Sequence, residues 1–264
     1  MNSVHRWVSE HTRLCRGILF LALIAFSMYA SSFEYVSFLT VYLIDLAVWF
    51  VVGRFIATAP VKLLQEPLAQ LHHQCDPYPM MAESRLQLEQ KFDGPHRQLL
   101  EINLAVTLRE TGEYEKALEI LENINIDKFP NTTPFSKYIY YHNLCDLNYL
   151  LDRKEEARIW ARKMRQIYTD LPTVKSKNEL TATHELMEAE ILYYEGDHAA
   201  SLRKVAWIKL PYPCVVMSAS MLAARCHIAL DEPEKAREKL NYVAEHGNKL
   251  HIAQEAKELL ETLN

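Results

Sequence analysis

Glycine is scarce in this chain: 6 of 264 residues, alongside 11 prolines. So few turn formers exclude an all-β fold built on many tight hairpins. They also leave no loop to cradle phosphate. Neither GxxxxGK[ST] nor GxSxG occurs. Basic charge is not in excess. The formal net charge is −5 and the pI about 6.1, so the electrostatic footprint of a nucleic-acid binder is missing and no such partner is expected. The cysteines, Cys15, Cys75, Cys145, Cys214 and Cys226, are odd in number and irregularly spaced, with no CxxC. They make no disulfide framework and no zinc knuckle, and they suit a reducing compartment.

What the chain does have is two apolar stretches almost back to back. Gly17–Phe33 reads GILFLALIAFSMYASSF, Tyr35–Ala57 reads YVSFLTVYLIDLAVWFVVGRFIA, and only Glu34 lies between. At about 1.5 Å per residue each reaches roughly 25–35 Å, the thickness of a bilayer core. The expected arrangement is a transmembrane helical hairpin. Arg6, Arg13 and Arg16 precede it, Arg54 and Lys62 sit at its far end, and the connection holds no Lys or Arg. The positive-inside rule puts both ends in the cytoplasm, hence a multi-pass protein of the cytoplasmic membrane with its remaining residues inside. Ala30-Ser31-Ser32 would also serve as a signal-cleavage site. Cleavage there would leave the second span and the same side for the rest, and the uncleaved hairpin is the expectation.

The remainder repeats. Leu104-Ala105, Leu108, Gly112-Glu113-Tyr114-Glu115-Lys116-Ala117-Leu118, Leu121 and Ile124 recur at three and four, the helical period, with Gly112 placed as a C-cap between two helices. The same frame returns with Asp152 and Ala157, with Gly196 and Ser201, and with Asp231 and Ala236. Prolines 130, 172 and 213 follow the first three units, and a last helix runs over Leu250–Leu263. Spacings longer than 34 residues imply extended loops near Ile126–Pro134 and Leu171–Asn178. The fold class is all-α: 1–16 an N-terminal segment, 17–33 and 35–57 the spans, 58–95 a linker with leading helices, and 96–264 an α-solenoid of about four helix pairs plus a closing helix.

These units resemble tetratricopeptide repeats. Together with the spans, Cys75-Asp76-Pro77 and Glu245-His246-Gly247-Asn248-Lys249-Leu250 resemble a group of membrane-anchored tetratricopeptide proteins of Firmicutes-type bacteria. The resemblance implies a fold and a location. The repeat family at large implies that a protein or peptide binds on a concave inner face. The family's carboxylate clamp needs Lys, Asn and Arg on successive first helices. Only Asn143 fits: Ile102 and Val106 stand in the first unit, Thr183 and Met187 in the third. The inner face would instead present Asn103, Val106, Arg109, His142, Asn143, Asp146, Tyr149, Glu190, Tyr193, Tyr194 and Arg225. Mixed charge and tyrosine suit a peptide or partner helix. Any solenoid's inner face must carry polar residues, so the same pattern has a purely structural explanation.

Catalytic and metal-ligating sets are not evident. His72-His73-Gln74-Cys75 lacks a second ligand pair and reads as a helix end, with Asp76 and Pro77 opening the next helix. His184-Glu-Leu-Met-Glu188 lacks the second histidine of HExxH. No enzyme, cofactor or metal is expected. Asp45 is the anomaly: a carboxylate mid-span, expected to face Leu21–Leu23 and available to a second copy, so that the hairpin could also hold a homo-oligomer. A transport or sensing subunit in which Asp45 functions is the alternative to an adaptor.

Overall fold

A computed structural model describes residues 2–33, 37–90, 94–128, 132–171 and 174–263. Among these, all regular structure is helical. The helices are α1 (Asn2–Glu10), α2 (Thr12–Ala30), α3 (Phe38–Leu63), α4 (Gln65–Gln74), α5 (Tyr78–Glu89), α6 (Pro95–Glu110), α7 (Tyr114–Glu122), α8 (Pro134–Leu150), α9 (Lys154–Thr169), α10 (Val174–Tyr194), α11 (His198–Val205), α12 (Pro213–Ala229), α13 (Pro233–His246) and α14 (His251–Thr262). They fall into two compact units, 1–66 and 67–264.

In the first unit α2 and α3 are long and apolar enough to cross a membrane. Little of either is covered: Phe20, Leu21, Met28, Leu39, Phe50 and Val51 are all exposed. A surface this apolar calls for lipid or protein around it. Leu19 packs with Ile56 and Ala59 while Ser27 meets Asp45, so the two helices run antiparallel. The short helix α1 lies on α3, with Val8 in the same small core and His5 against the Phe55 ring.

Helix boundaries depart from the sequence reading at both spans. α2 starts at Thr12 and stops at Ala30, and α3 starts at Phe38. Glu34, expected to be the whole connection, lies outside the described residues. α3 also continues past Ala57 and through Pro60 to Leu63, so the expected linker begins inside a helix. These shifts change the register. Asp45 faces Ser27, whose hydroxyl donates to Oδ2, and not Leu21–Leu23. The other oxygen, Oδ1, is buried with no hydrogen-bond partner among the described residues.

In the second unit α5 to α9 and α10 to α14 each pack in chain order, α9 meets α10 through Arg165–Glu188 and the Tyr168–His184 stack, and the alternate helices α6, α8, α10, α12 and α14 also meet in succession. One local device recurs four times. After α6, Glu113 N–H bonds to the Leu108 carbonyl at 2.8 Å and Gly112 N–H to that of Arg109 at 3.1 Å. The same crossed pair closes α8 at Asp152–Arg153, α10 at Gly196–Asp197 and α12 at Asp231–Glu232. Each is a Schellman cap, and each turn residue has positive φ: 84°, 56°, 92° and 58°. Five residues on stands a small side chain with no exposed surface: Ala117, Ala157, Ser201 and Ala236. Small size there lets the second helix of each pair lie close against the first. Ser201 fits because its hydroxyl donates to the Ala189 carbonyl at 2.8 Å.

Helix starts follow ordinary chemistry. Proline opens α6, α8, α12 and α13, where a missing N–H costs nothing. Thr133 caps α8 and Asp197 caps α11 through their side chains, each worth about 1 kcal/mol. Pro213 thus begins a helix rather than ending a unit, while Pro130 and Pro172 lie outside the described residues. The loop expected near 126–134 lies partly outside the described residues; α7 ends before it at Glu122 and α8 starts at Pro134. The one expected over 171–178 is mostly helix: α10 already begins at Val174, and the extra residues lengthen that helix.

Candidate functional site

The first helices of successive pairs aim their polar side chains at one another. Arg109 of α6 places Nε 2.6 Å from Asp146 Oδ2 on α8, close in distance though not aligned as a hydrogen bond, and Nη1 2.6 Å from Glu110. Arg225 of α12 grips Glu255 of α14 with a two-toothed contact at 2.6 and 2.7 Å. Glu190 of α10 stands among them. Burial pushes its carboxyl up to about 8, and Asp146 adds to this against the pull of Arg109 and Arg225. It therefore carries a proton at neutral pH. Burial likewise pushes the His142 imidazole down to about 4, so it is uncharged. Two cations thus face three carboxylates and one protonated carboxyl, all short of water.

Around them is a cavity of only about 30 Å³, lined by Arg109, Asp146, Glu190, Tyr194 and Arg225 together with Tyr114, Ser218 and Ile252. That is room for about one water. Small-molecule sites run to roughly 300–1,000 Å³, and a peptide needs more. The inner face is filled by its own side chains.

Sequence reasoning named five of the lining residues. Of its other candidates, Tyr149 stacks on Tyr194 at 4.8 Å and donates to Glu195, which Arg158 clamps from the other side. Tyr193 turns away, edge-on to Tyr194 and against His198. Val106 packs beside Leu71 and Cys75. Asn143 is buried and donates to the Ile139 carbonyl of its own helix at 2.7 Å. Asn103 sits half-buried, six residues before Arg109. The named residues therefore do not form one surface. Glu110, Tyr114 and Glu255 were missed. Glu255 had a signal: with Ile252 and Leu259 it shares one face of α14.

The two ends of the helix array also touch. Asn248, at φ 49°, donates its side-chain amide to the Gln74 carbonyl at 2.6 Å; Lys249 N–H reaches the Cys75 carbonyl at 3.2 Å, and its Nζ lies 2.6 Å from Asp76. Leu71, Cys75, Met217 and Leu250 seal the seam. Cys75-Asp76-Pro77 and the Glu245–Leu250 string thus meet in space. Nearby, His72 stacks on the Tyr212 ring at 4.4 Å and His73 meets its edge at 5.5 Å. Burial, with His73 alongside, lowers the His72 pKa. The adjacent imidazoles and thiol are thus engaged in packing. On the other side His251 meets Tyr114 edge-on at 5.8 Å. No family model matches the chain, and neither a curated protein nor a solved structure matches it.

Proposed function

We propose that this chain is a membrane-anchored cytoplasmic adaptor. On this reading α2 and α3 form a transmembrane hairpin, residues 96–264 are a tetratricopeptide-like solenoid, and the array binds a protein or peptide. The observation that carries it is the fourfold turn with a fully buried small residue five positions on. Such a repeat offers an extended recognition surface. Arg6 before α2, Arg13 and Arg16 in its first turns, and Arg54 and Lys62 in the C-terminal part of α3 support a cytoplasmic array.

Recognition on the inner face requires the seam between Gln74–Asp76 and Asn248–Lys249 to open and the Arg109–Asp146 and Arg225–Glu255 pairs to yield. The test exchanges one pair. The full chain carrying Arg225→Glu with Glu255→Arg keeps an ion pair and inverts the local charge. A partner captured by the wild type from membranes should be lost, with helicity unchanged. Retained capture would rule out the inner face, and no partner at all for the wild type would rule out the adaptor. A C-terminal alkaline phosphatase fusion should be inactive, and an active one would reverse the topology.

A second reading is favoured by Asp45. A carboxylate bonded to Ser27 with one oxygen unpartnered suits an accessory subunit of a transport or sensing complex, met there by a polar group of another chain. In that case Asp45→Leu removes the phenotype and the charge exchange is silent.

A further inference from the structure

Arg54, Thr58 and Lys62 follow one another at four-residue steps, which puts them on one stripe of α3. With Val51, Phe55, Val61 and Gln65 they line an open groove of about 460 Å³. Both cations are exposed, and among the described residues no ion pair engages either. Lys62 Nζ stands 5.9 Å from the centre of the Phe55 ring. The groove therefore combines two unneutralised cations with an apolar wall.

Its depth in the membrane matters. With Phe38 at the far edge of a core about 30 Å thick, Arg54 lies about 24 Å along the helix, Thr58 about 30 Å and Lys62 about 36 Å. Arg54 reaches outward from just inside the core and Lys62 stands just outside it. Long basic side chains so placed extend to the phosphate level. The antiparallel packing brings Arg13 and Arg16 to the same end. That end carries five cations, Arg6, Arg13, Arg16, Arg54 and Lys62, against Glu10 and Glu66.

We propose that this stripe binds a phospholipid of net negative charge, its phosphate held between Arg54 and Lys62 and its acyl chain along Val51 and Phe55. The site rests on the membrane-spanning reading of α3. It gives the anchor a lipid preference as well as a place in the bilayer, and it is independent of what the helix array binds.

The test uses the full chain in nanodiscs of equal phosphatidylglycerol and phosphatidylcholine. The protein is released into mild detergent and its retained lipid identified by native mass spectrometry. One cation near an anionic surface contributes roughly a fivefold preference, so two should enrich phosphatidylglycerol by at least about fivefold. Arg54→Gln with Lys62→Gln should lower that enrichment at least about fivefold, and Arg54→Lys alone should keep it. Equal retention of the two lipids by the wild type would overturn the proposal, as would undiminished enrichment in the double variant. So would displacement of the lipid by inorganic phosphate, which would mean a free-anion site. Extraction at alkaline pH separates the deeper failure: a wild-type chain washed from membranes by carbonate would overturn the spanning reading and this site with it.

Discussion

Replacing Gly112 by alanine tests whether the array really closes on itself. Gly112 has φ 84°, and a side chain in that region costs about 1–2 kcal/mol. An added Cβ would lie 2.7 Å from Cγ and Nδ1 of His251. The imidazole must withdraw, giving up its edge contact with Tyr114, for a further 1–3 kcal/mol or so. Gly196 provides the internal comparison. Its φ is 92°, yet nothing lies within 4 Å of its added Cβ. Gly196→Ala should therefore lose only the backbone term, and Gly112→Ala about 2–5 kcal/mol in all. Residues 67–264 form a compact unit, and that fragment should fold alone as a helical monomer. Urea unfolding followed by circular dichroism, with a slope of about 2–3 kcal/mol per molar, should show midpoints about 0.3–1.5 M apart. Gly112→Ala combined with His251→Ala should recover part of the loss. Equal destabilisation by the two glycine substitutions would refute the contact between the α6–α7 turn and α14.

Three further outcomes follow from the same structure. Stability of the fragment should depend on pH through two opposed groups. Glu190, raised to about 8, binds more protons folded than unfolded above its ordinary carboxylate range, so stability falls as pH rises toward 8. His142, lowered to about 4, binds fewer folded than unfolded up to about 6.5, so stability rises over that interval. The two offset each other between about pH 4.5 and 6.5, and the loss above 6.5 should vanish in Glu190→Gln; urea midpoints across that range check it, and a persistent loss would assign it elsewhere. Ser201→Ala should cost about 1 kcal/mol by freeing the Ala189 carbonyl, and Ser201→Leu should cost about 1–3 kcal/mol by overpacking, both read from the same midpoints. On the membrane-spanning reading, Asp45→Leu should favour insertion of α3 by about 3 kcal/mol in a glycosylation-mapped insertion assay, and no change would place Asp45 outside the hydrocarbon.

Local information in the sequence reached the helical period, the Gly112 turn, the four small residues and the two apolar stretches. Each depends on neighbours three to five positions away. What escaped it was long-range or a matter of competition. The crossing of Pro60 by α3 could not be read from a residue that usually ends helices. The early start of α10 at Val174 turned an expected loop into helix. Lys249 meets Asp76 and Arg225 meets Glu255 only because of how the helices stack, and no spacing rule links residues that far apart. The inner-face tyrosines and charges were recognisable as polar residues on first helices. Their mutual satisfaction was not, because it depends on the ends of the array meeting.

That meeting alters how the domain can come apart. In an open row of helix pairs, the terminal units fray first, and each pair lends its stability only to its neighbours. Here the Gln74–Asp76 corner and the Asn248–Lys249 turn hold each other, so neither end is free to melt alone. The late helices of the array complete the contacts of its early ones. Amide exchange in α5 and α14 should then track the global unfolding equilibrium, with no gradient from the ends toward the middle, and the domain should lose its structure as a single cooperative body.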